Sequence, residues 1–274
     1  MRFVLAAGVA ATALALGGAA DAQNSPAAQR VIDRARAVTG GPAGWNGLRG
    51  LHEVGEEGGV KIERWLDPLR YGLRQETSAA DGGKLVQAYN GAAEWRVLAG
   101  GVLTGSDTGL LAAKVRSEAF FGAYGYFYPS RFDLRGSNLG VRKENGRSFE
   151  ILQVQPAGGV PRELWFDMRT GLLAKMVEAA GEGTPLSIEL SDYRQVGAVR
   201  VPFRVAMSGG DLAAPRERKL TSVDFRPADR AQFSLPPAPP PKPEPVAAPP
   251  AAAPAQPTPP EPDQKRGWRR WLHR

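Results

Sequence analysis

The chain has 274 residues, no cysteine, and 35 Lys plus Arg against 28 Asp plus Glu, a formal charge of +7. The lack of cysteine excludes disulfides, thiolate catalysis and cysteine-held zinc. The positive charge does not describe a nucleic-acid-binding domain. Five basic side chains sit in the last ten residues, and the Pro-rich stretch before them has one Lys against three acids, which leaves about +4 for residues 23–235.

Residues 1–22 read as a secretory signal. Arg2 is followed by an uncharged apolar run from Phe3 to Ala20, and Ala20-Asp21-Ala22 fits a small-x-small cleavage site. Cleavage after Ala22 would place the protein in the periplasm or outside the cell. The competing reading is a membrane anchor, for which the run is short and rich in small residues. The spacing next predicts a helix from Ser25, a capping residue, through Pro26 to Gly40-Gly41, with Ala28, Val31, Ile32 and Ala35 as its apolar stripe and Val38 extending it.

From Leu48 to Gly101 the period becomes alternating. In "KIERWLD" Ile62 and Leu66 share one face and Trp65 the other; Asp67-Pro68 and Asn90-Gly91 turn the chain. These are strands of an antiparallel meander. Residues 106–134 break the pattern with a helix, capped by Ser106 or Asp107, and an aromatic segment in which seven Phe and Tyr fall within Phe120–Phe132. Strands then resume. The stretch "RELWFDMRTGLLAKMVE" reads as a hairpin, with Leu164 and Phe166 on one face, Trp165 on the other, Asp167 opening the turn and Gly171 supplying a positive φ. "PLSIELSDYRQVGAVRVPFRVAM" is another pair, and "RKLTSVDF" and "QFSLP" close the domain. Several strands are apolar on both faces, either because both are packed or because one lines an apolar cavity.

Residues 236–264 are almost entirely Pro and Ala with a few charges, a composition that buries no core and predicts a disordered, extended tether. Residues 265–274, "KRGWRRWLHR", put Trp268, Trp271 and Leu272 at helical spacing beside Lys265, Arg266, Arg269 and Arg270. That pattern suits contact with an anionic membrane surface or another envelope component, the alternative being a solubilising basic tail.

Enzymatic constellations are weak. His52 is the one histidine outside the tail, and a lone His is more often structural than catalytic. No His/Asp/Glu cluster has metal-ligand spacing, and Glu53, Glu56 and Glu57 read as a solvated strand end. The glycines lack the context of a phosphate loop. Asp107-Thr108-Gly109 runs straight into a helical pattern, unlike an aspartic-protease loop, which also needs a second Asp. No catalytic residue, metal or cofactor is expected.

"LWFDMRTGLLAKM", "LSIELSDYRQVGAVRVPFRV" and "KLTSVDFRPADRAQFSLP" give a Trp-x-Asp strand, a Thr-Gly-Leu-Leu turn, then Tyr-Arg-x-Val-Gly-x-x-x-Pro and a last strand ending Phe-x-x-Pro. This succession, with the preceding helix, meander and helical insertion, resembles the LolA/LolB-like lipoprotein carrier superfamily over residues 25–235. A further likeness is to the N-terminal regions of some bacterial retropepsin-like proteases, whose catalytic domain has no counterpart after the tether here. The carrier resemblance implies an α+β, mainly antiparallel fold: a curved half-open β-barrel wrapped around helices, holding acyl chains of lipoproteins or related lipids on its concave face, in a protein that is not an enzyme and acts as a monomer. Candidate lining residues are then Trp65, Trp95, Phe120, Phe121, Tyr124, Tyr126, Phe127 and Trp165. For the aromatic segment, plain core packing is the alternative.

Overall fold

The computed structural model describes residues 24–78, 82–180 and 183–236. The leader, the tether beyond Pro236 and the basic tail, including Lys265 to Trp271, lie outside the described residues. Helix α1 (Pro26–Val38) begins where Ser25 accepts a hydrogen bond from the Ala28 amide at 3.2 Å, and it buries Ala28, Val31, Ile32 and Ala35. Val38, assigned to the stripe from sequence, is 40% exposed; it ends the helix, one turn past the stripe's contact with the core. A short helix, α2 (Gly41–Asn46), follows and buries Trp45, whose indole N–H donates to Thr39 at 3.0 Å.

The strands divide into two runs. The first is β1 (Leu51–Glu57), β2 (Val60–Asp67), β3 (Gly72–Ser78), β4 (Lys84–Tyr89), β5 (Glu94–Val97) and β6 (Leu103–Ser106). The second is β7 (Leu134–Glu144), β8 (Arg147–Pro156), β9 (Arg162–Asp167), β10 (Leu173–Glu178), β11 (Leu186–Val196), β12 (Val199–Ser208) and β13 (Arg216–Asp224). Both are antiparallel meanders, and β1 pairs with β13, so that all 13 strands form one sheet ordered β6-β5-β4-β3-β2-β1-β13-β12-β11-β10-β9-β8-β7. The sheet is curved and its edges, β6 and β7, do not pair. It is half-open rather than a closed barrel.

This order determines where the helical insertion lies. Helix α3 (Gly109–Gly122) and the aromatic segment connect β6 to β7, the two far edges, and so must cross one face. They pack with α1 and α2 in the concavity. The main core forms there from Val31 and Ile32, Trp45, Phe120, Phe127, Leu66, Leu152, Leu164 and Phe166, with their neighbours.

Alternation sends the intervening side chains outward. On β9, Leu164 and Phe166 join the core while Trp165 packs with Phe149 and Ile151 in a separate outer cluster. Trp95 packs outside with Val86 and Ala88. The chain after β13 crosses this outer surface. Arg230–Phe233 is a 3₁₀ turn, not the last strand read from sequence, and the Phe233 carbonyl accepts the Trp95 indole N–H at 2.9 Å. Strands apolar on both faces are thus covered on both. The β9–β10 turn is as read: the Asp167 carboxylate accepts the amides of Arg169 and Thr170, and Gly171 has φ 75°.

Candidate functional site

The concave face is incompletely filled. Between the end of α3 and strands β10 to β13 lies a cavity of about 70 Å³. Phe121, Tyr124 and Tyr126 form its helical wall; Met176, Ile188, Val205, Met207 and Leu220 form its sheet wall. Burial pushes the Tyr124 and Tyr126 phenols well above their usual pKa, so both line the cavity as neutral rings.

At one end the lining turns charged. Glu53, Arg64, Glu118, Arg162 and Arg218 all border the cavity. Three sheet arginines each have a sheet carboxylate: Arg64 pairs with Glu53 at 2.6 Å, Arg162 with Glu178 at 3.0 Å and Arg218 with Glu57 at 2.6 Å. Glu118 is the fourth carboxylate and the only one on α3. It reaches Arg64 at 3.0 Å and Arg162 at 3.4 Å. Burial would raise its pKa, but Arg162 and Arg64, with Arg218 beyond them, hold it at about 2. Arg64 is opposed by its own burial and kept charged by Glu53 and Glu118. These groups correct the sequence reading of a solvated strand end: Glu53 is buried and Glu57 largely so, and Glu56 alone of the three faces solvent. Alternation places position 53, like core residue Leu51, on the inner face.

Helix α3 covers this end closely. A Cβ on Gly122 would lie 3.0 Å from Leu66 and 3.2 Å from the Arg64 guanidinium, so the absence of a side chain lets the helix settle on β2. Further ties are Ser117 Oγ, which donates to the Val160 carbonyl at 3.0 Å and accepts its amide at 2.7 Å, and Lys114 with exposed Asp211 at 2.6 Å.

Of the eight candidate lining residues, Phe121, Tyr124 and Tyr126 border the cavity. Phe120 is core, its ring 5.0 Å from Phe121 and 5.5 Å from Tyr71. Phe127 is core, its ring 4.9 Å from Trp45 and 4.7 Å from Tyr126. Trp65, Trp95 and Trp165 lie on the outer face: Trp65 stacks on His52 at 5.2 Å, and Lys175 sits 3.8 Å over Trp165. Strand alternation sets these three apart from the cavity. The arginine and glutamate residues at the charged end were missed; an Arg at position 64 between Ile62 and Leu66 was their one available signal.

The remaining candidates are remote from the cavity. His52 bonds Asp224 through Nδ1 at 3.1 Å and Glu63 through Nε2 at 2.8 Å, tying β1 to β13 and β2. Asp107 is exposed on the turn into α3, and the N-cap position falls on Thr108, whose side chain makes no capping bond, rather than on Ser106 or Asp107; Ser106 Oγ accepts the Thr108 amide. Among the described residues no group of three His, Asp or Glu could hold a metal ion, and no helix is long and apolar enough to cross a membrane.

No family model and no curated sequence matches the chain. Solved structures do. A LolA superfamily protein from Nitrosomonas europaea, 11% identical, superposes over 76% of this chain and 97% of its own with a TM-score of 0.50. A domain assigned to outer-membrane lipoprotein sorting from Vibrio parahaemolyticus covers 75% of this chain and 97% of its own, and a DUF1329 protein from Desulfovibrio piger covers 76% and 97%; each is 12% identical with a TM-score of 0.49. The chain has a LolA-like fold.

Proposed function

We propose that this protein is an extracytoplasmic, monomeric, non-enzymatic carrier of acyl chains from lipoproteins or related lipids, which enter between α3 and the sheet. The observation that carries this reading is the cavity on the concave face between the end of α3 and the sheet, apolar over most of its wall. Its volume of about 70 Å³ is far below the ~300 Å³ or more of ordinary ligand sites. In the carrier reading this is a closed form, and loading requires α3 and the aromatic segment to lift. The same small volume favours a second reading, an envelope interaction module with a packed core and no ligand.

Titration of the purified chain with a fluorescent palmitate analogue separates the two. A carrier takes up about one probe per chain. Phe121→Ala, at the cavity wall, changes that binding more than stability, whereas Phe127→Ala costs about 3–5 kcal/mol of folding stability. A chain that takes up no probe while both substitutions are equally destabilising is the interaction module.

The basic tail is proposed to hold the tethered domain near an anionic surface. Binding to anionic vesicles should be weak and salt-sensitive, because charges are screened beyond about 8 Å at physiological ionic strength. Deleting residues 265–274 should abolish it. Vesicle binding that survives the deletion would place the contact elsewhere.

A further inference from the structure

Within the carrier reading, on which this inference rests, the charged end of the cavity specifies which lipids it takes. The sheet is already balanced there, since each of Arg64, Arg162 and Arg218 has its own glutamate. Glu118 is surplus, and it comes from the element that must move. Its carboxylate lies between Arg64 and Arg162, two guanidinium groups each only 4% exposed. If α3 lifts, Glu118 leaves with it and the two arginines each lose an acceptor. Arg64 is short of one even in the closed form, because its buried Nε has no partner. Guanidinium donors that lose a carboxylate need another acceptor, and an anion arriving with its chain restores the charge-assisted hydrogen bonds that water would otherwise have to supply. The apolar wall begins beside that place, with Phe121 under the Arg162 guanidinium at 4.9 Å.

We infer that the Glu118 carboxylate occupies an anion seat, and that the preferred cargo is an acyl chain ending in one anionic group, carboxylate or phosphate, which replaces Glu118 between Arg64 and Arg162 as α3 opens. For a carboxylate the exchange is one negative charge for one and the buried charge balance is unchanged; a phosphate monoester brings up to about one charge more. A neutral lipid fills the apolar part and leaves the seat to Glu118 or empty.

Calorimetric binding of palmitate, hexadecanol and palmitoyl lysophosphatidate to the full chain tests this. Palmitate should bind wild type about tenfold tighter than hexadecanol, the scale of one charge-assisted hydrogen bond. Glu118→Gln, nearly isosteric, should widen that ratio, because only the anion has to evict the resident carboxylate. Arg162→Gln with Glu178→Gln, which removes a buried pair together, should bring palmitate down to the hexadecanol level, and a palmitate preference that survives this variant would also overturn the inference. A lysophosphatidate stronger than palmitate identifies the seat as a phosphate site, and the reverse order identifies a carboxylate site. Equal binding of palmitate and hexadecanol to wild type and Glu118→Gln overturns the inference and leaves the carrier reading standing. If no lipid binds any of these proteins, the carrier reading fails and the inference with it.

Discussion

Glu118 draws its properties from three side chains that are distant in sequence, and its titration should be visible in stability. Its folded pKa, at about 2, lies below that of an unfolded glutamate. The ionised form therefore stabilises the fold above the unfolded pKa, and that contribution is lost as pH falls from about 4.3 toward 2. Allowing for its partial exposure, Glu118→Gln should cost about 2 kcal/mol at neutral pH. The gap to wild type in urea midpoints should close by about pH 2, below which both side chains are neutral. A gap that persists unchanged through this window would show that Glu118 is not held by charge. At this scale the sequence was only partly legible. Local chemistry was readable: the Ser25 cap and the Asp167 turn need only near neighbours. The arginine–glutamate cluster was not, because Arg64, Glu118 and Arg162 belong to β2, α3 and β9, and nothing in their spacing shows that they meet.

At the scale of elements, α3 is the part whose sequence least determines its role. It buries Ala112, Val115, Ser117, Ala119 and the two phenylalanines, yet exposes Leu110 and Leu111 in its first turn. The position of its last turn depends on Gly122. Gly122→Val would press a branched side chain against Leu66 and Arg64 and should cost about 1–3 kcal/mol in urea unfolding. The loss falls on the closed form, so the open fraction rises and the acyl probe should bind tighter. A destabilised variant with unchanged probe affinity would mean that α3 does not gate the cavity. Strand periodicity gave both hairpin runs and the break between them near residues 106 and 134, matching β6 and β7. It could not separate the two faces functionally: tryptophans 65, 95 and 165 are apolar payload on an outer surface, where His52 stacks on Trp65, Arg74 and the final 3₁₀ turn cover Trp95, and Lys175 covers Trp165. A large aromatic on an alternating strand looks the same from either side.

For the whole domain, the first and last strands meet at the centre of the sheet and the edges are left to the periphery. The β6 edge is short. The β7 edge is interrupted by a bulge between Asn138 and Gly140, and its start is covered by the Ser25 amide donating to the Gly136 carbonyl at 2.8 Å. Such devices discourage edge-to-edge pairing. The connection between the edges is held to the sheet by Glu118 at the cavity and by Ser117 at the loop before β9. In the proposed carrier an acyl chain enters when this connection lifts. Because the chain has no cysteine, Ser117→Cys with Val160→Cys places one removable crosslink between α3 and that loop. The decisive measurement is palmitate-analogue binding to this variant before and after reduction. Binding should be absent while the crosslink is closed and return to one probe per chain once it is reduced. Equal binding in both states would contradict that route of entry.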